Sequence, residues 1–387
     1  MLELRCAARH FSGEGKMAQE VAAAKALGIE VPQFAHHLSS GHIQFINDHF
    51  RFQKELLGID KGTLYFPQTN EVVFGFPKIR RILAMRNLGM HFKKPFYVEE
   101  KLDGYNVRLC KVNNEVLAFT RGGIKDKYTA QRILQHMTGD FFDKHPQYVL
   151  CGEVIGLQNP YQEKGYPEER DFGFYVFDVR EKNTNKPVSA EKRYALMKRF
   201  KINQVRSFGL YKATDWQALL KLTRKLGDQG REGIVMKSHD IGMQLKYTSN
   251  QSTSKDLEYA FTFPFDYGQA FFFRRLIRQG FQASELNLTK KQLDHEAARI
   301  GKAILFPMVH TINELKKGNE VTEDFEIEVP DEQFGREFIE HLKKMGLVLS
   351  VRGLKKGRAS CKFRISRHYQ ATNDKTKAYL QGSLSSD

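Results

Sequence analysis

The chain has 387 residues, 41% hydrophobic and 27% charged, the make-up of a soluble globular protein long enough for two to four domains. Its 61 Lys and Arg against 45 Asp and Glu give a net charge of +16, which favours a polyanionic partner, nucleic acid before anionic membrane. No apolar run approaches the roughly 18 residues of a membrane span, and the first six residues lack a signal-peptide core, so no membrane attachment and a cytoplasmic location are expected.

Cys6, Cys110, Cys151 and Cys361 are far apart and form no C-x-x-C pair, which predicts free, mostly buried thiols in a reducing compartment. Among thirteen histidines the closest pair is His36-His37, and no cysteine or carboxylate stands near it at zinc-ligand spacing.

Residues 16–27 are alanine-rich and predict a helix stopped by Gly28. Residues 43–47 read as a strand. Residues 63–66 and 71–74 flank Pro67-Gln68-Thr69-Asn70 and predict a hairpin. A basic helix is expected over 78–87. From 96 to 243 short β-rich runs alternate with amphipathic helices: strands at 96–100, 105–112, 116–120, 148–152, 172–179 and 233–237, and helices at 190–200 and 215–226. Strand pairs joined by turns and mixed with helices indicate an α+β or mixed-sheet domain. No strand–G-x-G-x-x-G–helix unit appears, which argues against a Rossmann site. Residues 248–254 read as a polar linker. An aromatic-rich stretch with seven Phe or Tyr between 261 and 273 follows, then a mainly helical region over 285–317 that Pro307 should kink or break. The last part reads strand (325–329), helix (331–345), strand (347–351) and strand (361–365), with a frayed tail from 382.

Polar clusters stand at the ends of several strand-like runs. The first is Lys101-Leu102-Asp103-Gly104, preceded by Glu99-Glu100. A lysine becomes a covalent nucleophile when burial or neighbouring cations keep it short of a proton. Thr120-Arg121-Gly122-Gly123 offers a guanidinium fork to a phosphate or carboxylate. Glu153, after Cys151-Gly152, is placed to accept hydrogen bonds from a ribose. The aromatic run 174–177 ending at Asp178 could stack on a base. Arg231-Glu232-Gly233-Ile234-Val235-Met236-Lys237 puts a carboxylate and a lysine at two ends of a buried strand, where Glu232 could help hold Mg²⁺. Leu245-Lys246-Tyr247 adds one more lysine. Taken singly, each cluster has a plain alternative as a solvated turn or a core aromatic.

Their order is specific. Lys-x-Asp-Gly, Arg-Gly, Gly-Glu, Phe-Asp, Glu-Gly-Ile-Val-Met-Lys and Leu-Lys resemble the covalent nucleotidyltransferases. Within that superfamily the chain resembles the archaeal-type ATP-dependent RNA ligases, also through Gly152-Glu153-Val154-Ile155-Gly156 and the downstream Pro160-Tyr161. The resemblance implies a nucleotidyltransferase (ATP-grasp-like ligase) fold and the use of ATP with Mg²⁺ or Mn²⁺. It implies that Lys101 takes AMP as a phosphoramidate, with Glu100 and Asp103 in the nucleotide site. It further implies that Arg121 contacts the AMP or 5′-end phosphate, Glu153 the ribose and Phe177 the adenine. Glu232 would serve the metal, and Lys237 and Lys246 the α-phosphate. Many ligases carry Lys-x-Lys in the last motif, whereas Lys246-Tyr247 is followed here by Thr248. Lys237, Lys246 and Arg121 are expected to lower the pKa of Lys101.

The expected organisation is an N-terminal region (1–62), an adenylation domain (63–249), a helical homodimerisation domain (250–318) and a small α+β C-terminal domain (319–387). The expected partner is single-stranded RNA with 5′-phosphate and 3′-hydroxyl ends, joined and possibly circularised. Arg352, Lys355, Lys356, Arg358, Lys362, Arg364 and Arg367, uninterrupted in sequence by any acidic residue, are expected to help hold it. The alternatives are a DNA ligase or capping-type nucleotidyltransferase, against which the absence of an expected OB barrel argues, and a non-catalytic RNA-binding protein.

Overall fold

The structure, a computed structural model, describes residues 13–137, 140–158, 165–358 and 360–384. Pro160-Tyr161 and Cys6 fall outside them. The described chain forms two units, one from residues 13–78, 105–152 and 176–203, the other from 79–104, 153–175 and 204–384.

The described residues begin with α1 (Gly13–Leu27), which stops where Gly28 takes a φ of +66°, and α2 (Val31–Ser39), with a proline in its first turn. Four short strands follow: β1 (Ile43–Ile46), β2 (His49–Phe52), β3 (Leu64–Phe66) and β4 (Glu71–Val73). They pair antiparallel in chain order, and β3–β4 is the hairpin read from the sequence. Phe34, Ile43, Phe50, Phe52 and Tyr65 close over Ala23 and Ala24 to make their core.

The expected basic helix over 78–87 does not form. Arg80–Arg81 is a short strand, β5, followed by a 3₁₀ turn at Met85–Asn87 and a single helical turn, α3 (Leu88–His91). Ile82, Met85 and Leu88 are buried in one core, and that anchoring overrides the helical propensity of the basic residues between them.

The chain continues through β6 (Phe96–Lys101), β7 (Tyr105–Val112), β8 (Glu115–Thr120), α4 (Lys127–His136), α5 (Phe141–Lys144), β9 (Tyr148–Ile155) and β10 (Gly173–Glu181). Then come α6 (Ala190–Arg199), β11 (Ser207–Tyr211), α7 (Trp216–Asp228), β12 (Gly233–Ser238) and β13 (Gln244–Thr248). One sheet has the order β10-β9-β7-β8 and another β11-β6-β12-β13-β5. The second sheet is antiparallel except that β5 joins β13 in parallel. β9 runs beyond the predicted end at 152, so Glu153 lies inside a strand.

The expected polar linker is also corrected. Ser249 caps α8 (Asn250–Thr262) by accepting a bond from the Ser252 N–H, and Asn250, Ser252, Thr253 and Ser254 are buried. Several of their polar groups find partners inside the fold: Gln279 and Arg299 both donate to the Asn250 carbonyl, and Arg299 to Ser254 Oγ. After α9 (Gln269–Glu285) comes α10 (Lys290–Lys316), which runs on through Pro307 without breaking. α10 packs along α8, and Thr311, one turn past the proline, donates to the Thr262 carbonyl. The chain ends with β14 (Thr322–Val329), α11 (Glu332–Lys344), β15 (Val348–Lys356), β16 (Cys361–His368) and α12 (Gln370–Leu380), the last unforeseen. Its strands form an antiparallel sheet in the order β14-β16-β15.

Cys110, Cys151 and Cys361 are free and buried, as their spacing predicts. No described helix is long and apolar enough to cross a membrane.

Candidate active site

The β6–β12–β13 register sorts the central residues into two faces, because directly opposed residues of antiparallel strands point the same way. Val98, Ile234, Met236, Leu245 and Tyr247 face the apolar core, with Leu219 and Leu220 of α7 packed there. The other face carries three rows. Lys101, Gly233 and Thr248 form the first, Glu99, Val235 and Lys246 the second, Tyr97, Lys237 and Gln244 the third. The sequence motifs at 101, 237 and 246 therefore meet on one sheet face.

Lys101 ends β6, and its Nζ donates to a Glu232 carboxylate oxygen at 2.5 Å. Burial pushes its pKa down, but the charges of Glu232 and Glu153, the hydrogen bond to Glu232 and the nearby Asp103 carry it above the ordinary lysine value. This reverses the expected direction. One expected cation, Lys237, is already neutralised: its Nζ lies 2.8 Å from Glu99, and both side chains are 1% exposed. Glu153 is pushed up to about 7, by burial first, with Lys101 opposing and Glu232 and Asp103 adding to the rise. Glu232 is raised as well, chiefly by burial.

Gly104 owes its place to close packing rather than to an unusual backbone angle. A Cβ there would sit 2.0 Å from the Val154 carbonyl oxygen, so the turn after Lys101 lies flush against the strand that carries Glu153. The Asp103 N–H donates to Tyr166 Oη at 2.7 Å. Glu100 is buried on the opposite side from Lys101 and pairs with Arg231, which also grips Glu168 through two N–H groups at 2.8 Å. Tyr166, Glu168 and the bridging role of Arg231 went unread because no local pattern marks them.

Arg121 and Phe177 belong to the other unit. Arg121 is exposed in the turn after β8, with its carbonyl packed so close to Gly62 that a Cβ there would meet it at 2.2 Å. Phe177 is half-buried on β10, edge-on to Phe76 with ring centroids 5.1 Å apart. Asp178 is buried and bonds Arg180 at 3.2 Å. Arg108 is wholly buried and donates to the carbonyls of Phe74, Gly62 and Thr120, a structural clamp under the Arg121 turn.

The basic residues at 352–367 lie on β15, β16 and their turn. The acidic residues missing from that segment come from β14 across the sheet and from the first turn of α11. Glu326 stands opposite Arg364 and Glu328 opposite Lys362, with ion pairs at 3.5 and 3.4 Å. Lys356 pairs with Glu332 at 2.5 Å and Arg367 with Glu323 at 3.7 Å. Arg352 bonds Ser366, while Lys355 and Arg358 are exposed.

Carboxylates outnumber cations around Lys101: Glu232, Glu153 and Asp103 against one ammonium, with two of the three held above their ordinary pKa. No cluster of three or more metal-ligating side chains occurs among the described residues. Carboxylates of this kind are ligands that a hard divalent cation takes together with water and phosphate oxygens.

The strand-end lysine ringed by carboxylates lies in a segment that matches a ligase family. The RNA ligase family matches residues 94–248, and the family described as "Ligase Pab1020 C-terminal region" matches 259–383. The solved "Archaeal ATP-dependent RNA ligase - form 1" is 37% identical, covers 95% of this chain and 99% of its own, and superposes with a TM-score of 0.90. The uncharacterized protein MJ0414 of Methanocaldococcus jannaschii is 36% identical over 345 residues, 86% of this chain and 87% of that one. A putative ATP-dependent DNA ligase from Aquifex aeolicus shares the fold, with a TM-score of 0.86 at 23% identity over 92% of this chain and all of that one. The chain belongs to the archaeal ATP-dependent RNA ligases, the Pab1020-like group. It is an ATP-dependent RNA ligase.

Proposed function

We propose that the enzyme charges itself on Lys101, passes AMP to the 5′-phosphate of a single-stranded RNA, and joins that end to a 3′-hydroxyl, circularising the strand when both ends belong to one molecule. In the first step the Nζ–P bond forms at the α-phosphorus of ATP, the bond to pyrophosphate breaks, and the lysine loses a proton. In the second the RNA phosphate displaces the lysine from AMP. In the third the 3′-hydroxyl attacks the activated phosphorus, and AMP leaves.

The observation that carries this reading is the position of Lys101, half-enclosed at a strand end, bonded to Glu232 and set in a row with Gly233 and Thr248. Glu153 would bind the ribose, Phe177 the adenine and Arg121 a phosphate, while Lys246 is on the face where the α-phosphate would lie. Lys237 would act by fixing Glu99 beside them. Mg²⁺ or Mn²⁺ would be held by Glu232 with Glu153 near, and would offset charge on the phosphates. The same reading includes a cytoplasmic enzyme and a homodimer built through the helical region 250–318.

The test mixes the protein with α-labelled ATP and Mg²⁺, with GTP and NAD⁺ in parallel. Label should join the protein from ATP alone and be lost in Lys101→Ala and in Lys101→Arg, whose guanidinium stays protonated. Label retained by a folded Lys101→Ala variant overturns the assignment. Circles formed from 5′-phosphorylated RNA at low strand concentration separate intramolecular joining from intermolecular products.

A further inference from the structure

Position 248 holds Thr where many ligases of this superfamily hold the second lysine of a Lys-x-Lys pair, yet the structure supplies a cation at that place from another strand. β5 runs parallel to β13 with Arg81 beside Lys246, and Arg81 Nη1 donates to Thr248 Oγ1 at 2.6 Å. Thr248 in turn stands across Gly233 from Lys101, on the same face. Two strand spacings put their Cα atoms on the order of 10 Å apart, and the residue between them has no side chain to fill the gap. A Cβ on Gly233, at φ +154°, would lie 2.3 Å from the Tyr247 carbonyl oxygen.

A second guanidinium joins from α9. Arg278 and Gln282, one turn apart, line the same small cavity as Arg81 and Thr248. Asp256 is nearby, but it accepts from Arg275 Nε at 2.9 Å. Among the described residues neither Arg81 nor Arg278 is in an ion pair. Burial, then the charges of Arg278 and Arg275, bring Arg81 down to about 10, although Glu232 opposes them. Arg278 is lowered too, by burial and then by Arg275, with Asp256 and Glu232 opposing. A guanidinium set beside other cations gains by taking an anion between them, and a planar guanidinium fork fits phosphate oxygens.

We propose that Arg81 and Arg278 bind the β- and γ-phosphates of ATP, and hence the departing pyrophosphate, with Arg81 replacing the lysine absent at position 248. This rests on Lys101 being the AMP acceptor. A phosphate chain that starts at Lys101 can extend over Gly233 toward Thr248. As the Nζ–P bond forms, the Pα–O bond breaks, pyrophosphate keeps the electron pair, and the lysine proton passes to solvent. The leaving group departs roughly in line with the attack, and two fixed guanidinium groups would stabilise its growing charge.

The experiment uses the full chain and separates three partial reactions: self-adenylation by ATP, discharge of the adenylated enzyme by inorganic pyrophosphate, and sealing of pre-adenylated RNA, which needs neither ATP nor pyrophosphate. Arg81→Ala and Arg278→Ala should each raise KM for both ATP and pyrophosphate about tenfold or more, with a far smaller effect on sealing. Arg81→Lys should recover a large part of the loss. An unaltered pyrophosphate KM in Arg278→Ala, a helix-surface change that keeps the fold if Arg81→Ala does not, overturns the proposal. So does an outcome in which pyrophosphate discharge is intact and only AMP transfer to 5′-phosphorylated RNA fails, since the site would then hold the RNA end. Absence of label on the wild-type protein would instead reject the reading of Lys101.

Discussion

Lys237 Nζ and a Glu99 carboxylate oxygen are 2.8 Å apart in a site where each side chain is 1% exposed. They lie two residues apart along the sheet, diagonal to each other, on the face that also carries Lys101. A buried charge whose partner is removed costs about 3–5 kcal/mol. Lys237→Met should therefore lower stability by that order, read as the midpoint of urea unfolding. Glu99→Gln added to Lys237→Met should restore much of the loss. A double variant no more stable than Lys237→Met would mean that the pair is not coupled in this way.

Gly104→Ala tests the packing of the turn behind the nucleophile. The new methyl would meet the Val154 carbonyl at 2.0 Å and Ile155 Cγ2 at 2.9 Å. Overpacking of this kind costs about 1–3 kcal/mol, and relief by backbone shift would move Lys101 relative to Glu153. Thermal unfolding should fall and AMP labelling should drop with it. Full labelling at unchanged melting temperature would show that the turn has slack.

The apolar side chains of α9 and α10 are the place to test the homodimer. Phe273 is 64% exposed, Phe306 65% and Leu305 56%, with Phe281 and Val309 close to half. Exposed apolar area on that scale usually marks an interface. Sedimentation at micromolar concentration should find a dimer for the wild type and a monomer for Phe273→Asp combined with Phe306→Asp. A wild-type monomer would refute the dimer.

The basic stripe calls for a graded result. Lys355→Ala, Lys356→Ala, Arg358→Ala and Lys362→Ala together should weaken RNA binding and flatten its salt dependence while self-adenylation persists. Because Glu332 and Glu328 already hold Lys356 and Lys362, Lys355 and Arg358 alone should account for most of the change. RNA affinity and salt slope at wild-type level in the fourfold variant would remove this stripe from the RNA path.

The strands around Lys101 were legible because alternating and apolar runs carry their own periodicity, and Lys101 and Arg121 fall at or just past their ends, while Glu153 lies inside a longer strand than expected. What the sequence hid was set across strands or by burial. Arg80 and Arg81 look helical beside Lys78, and only pairing with Leu245 and Lys246 makes them a strand. Asn250, Ser252 and Thr253 look like a linker because their composition is polar, but the partners that make burial tolerable, Gln279 and Arg299, lie far along the chain. The acidic side chains facing the C-terminal stripe sit on β14, some 40 residues earlier, where a local reading of charge cannot find them. The direction of the Lys101 shift was missed for the same reason: the nearest charges in space are carboxylates, and the expected cation at 237 is spent on Glu99.

Ser249 has one further consequence. Its N–H donates to the Glu232 carbonyl at 2.8 Å, its hydroxyl donates to the Arg231 carbonyl at 3.2 Å, and the same oxygen starts α8. The last strand of the sheet thus passes into the helical region with no slack, at the residue whose carboxylate holds the nucleophile. A shortened enzyme ending near Thr248 would remove Ser249 and with it the bonds to the Arg231 and Glu232 carbonyls, and would lose Arg278 as well. Anyone trimming this ligase to a minimal catalytic fragment, or splicing another module after the motifs, has no neutral place to cut there.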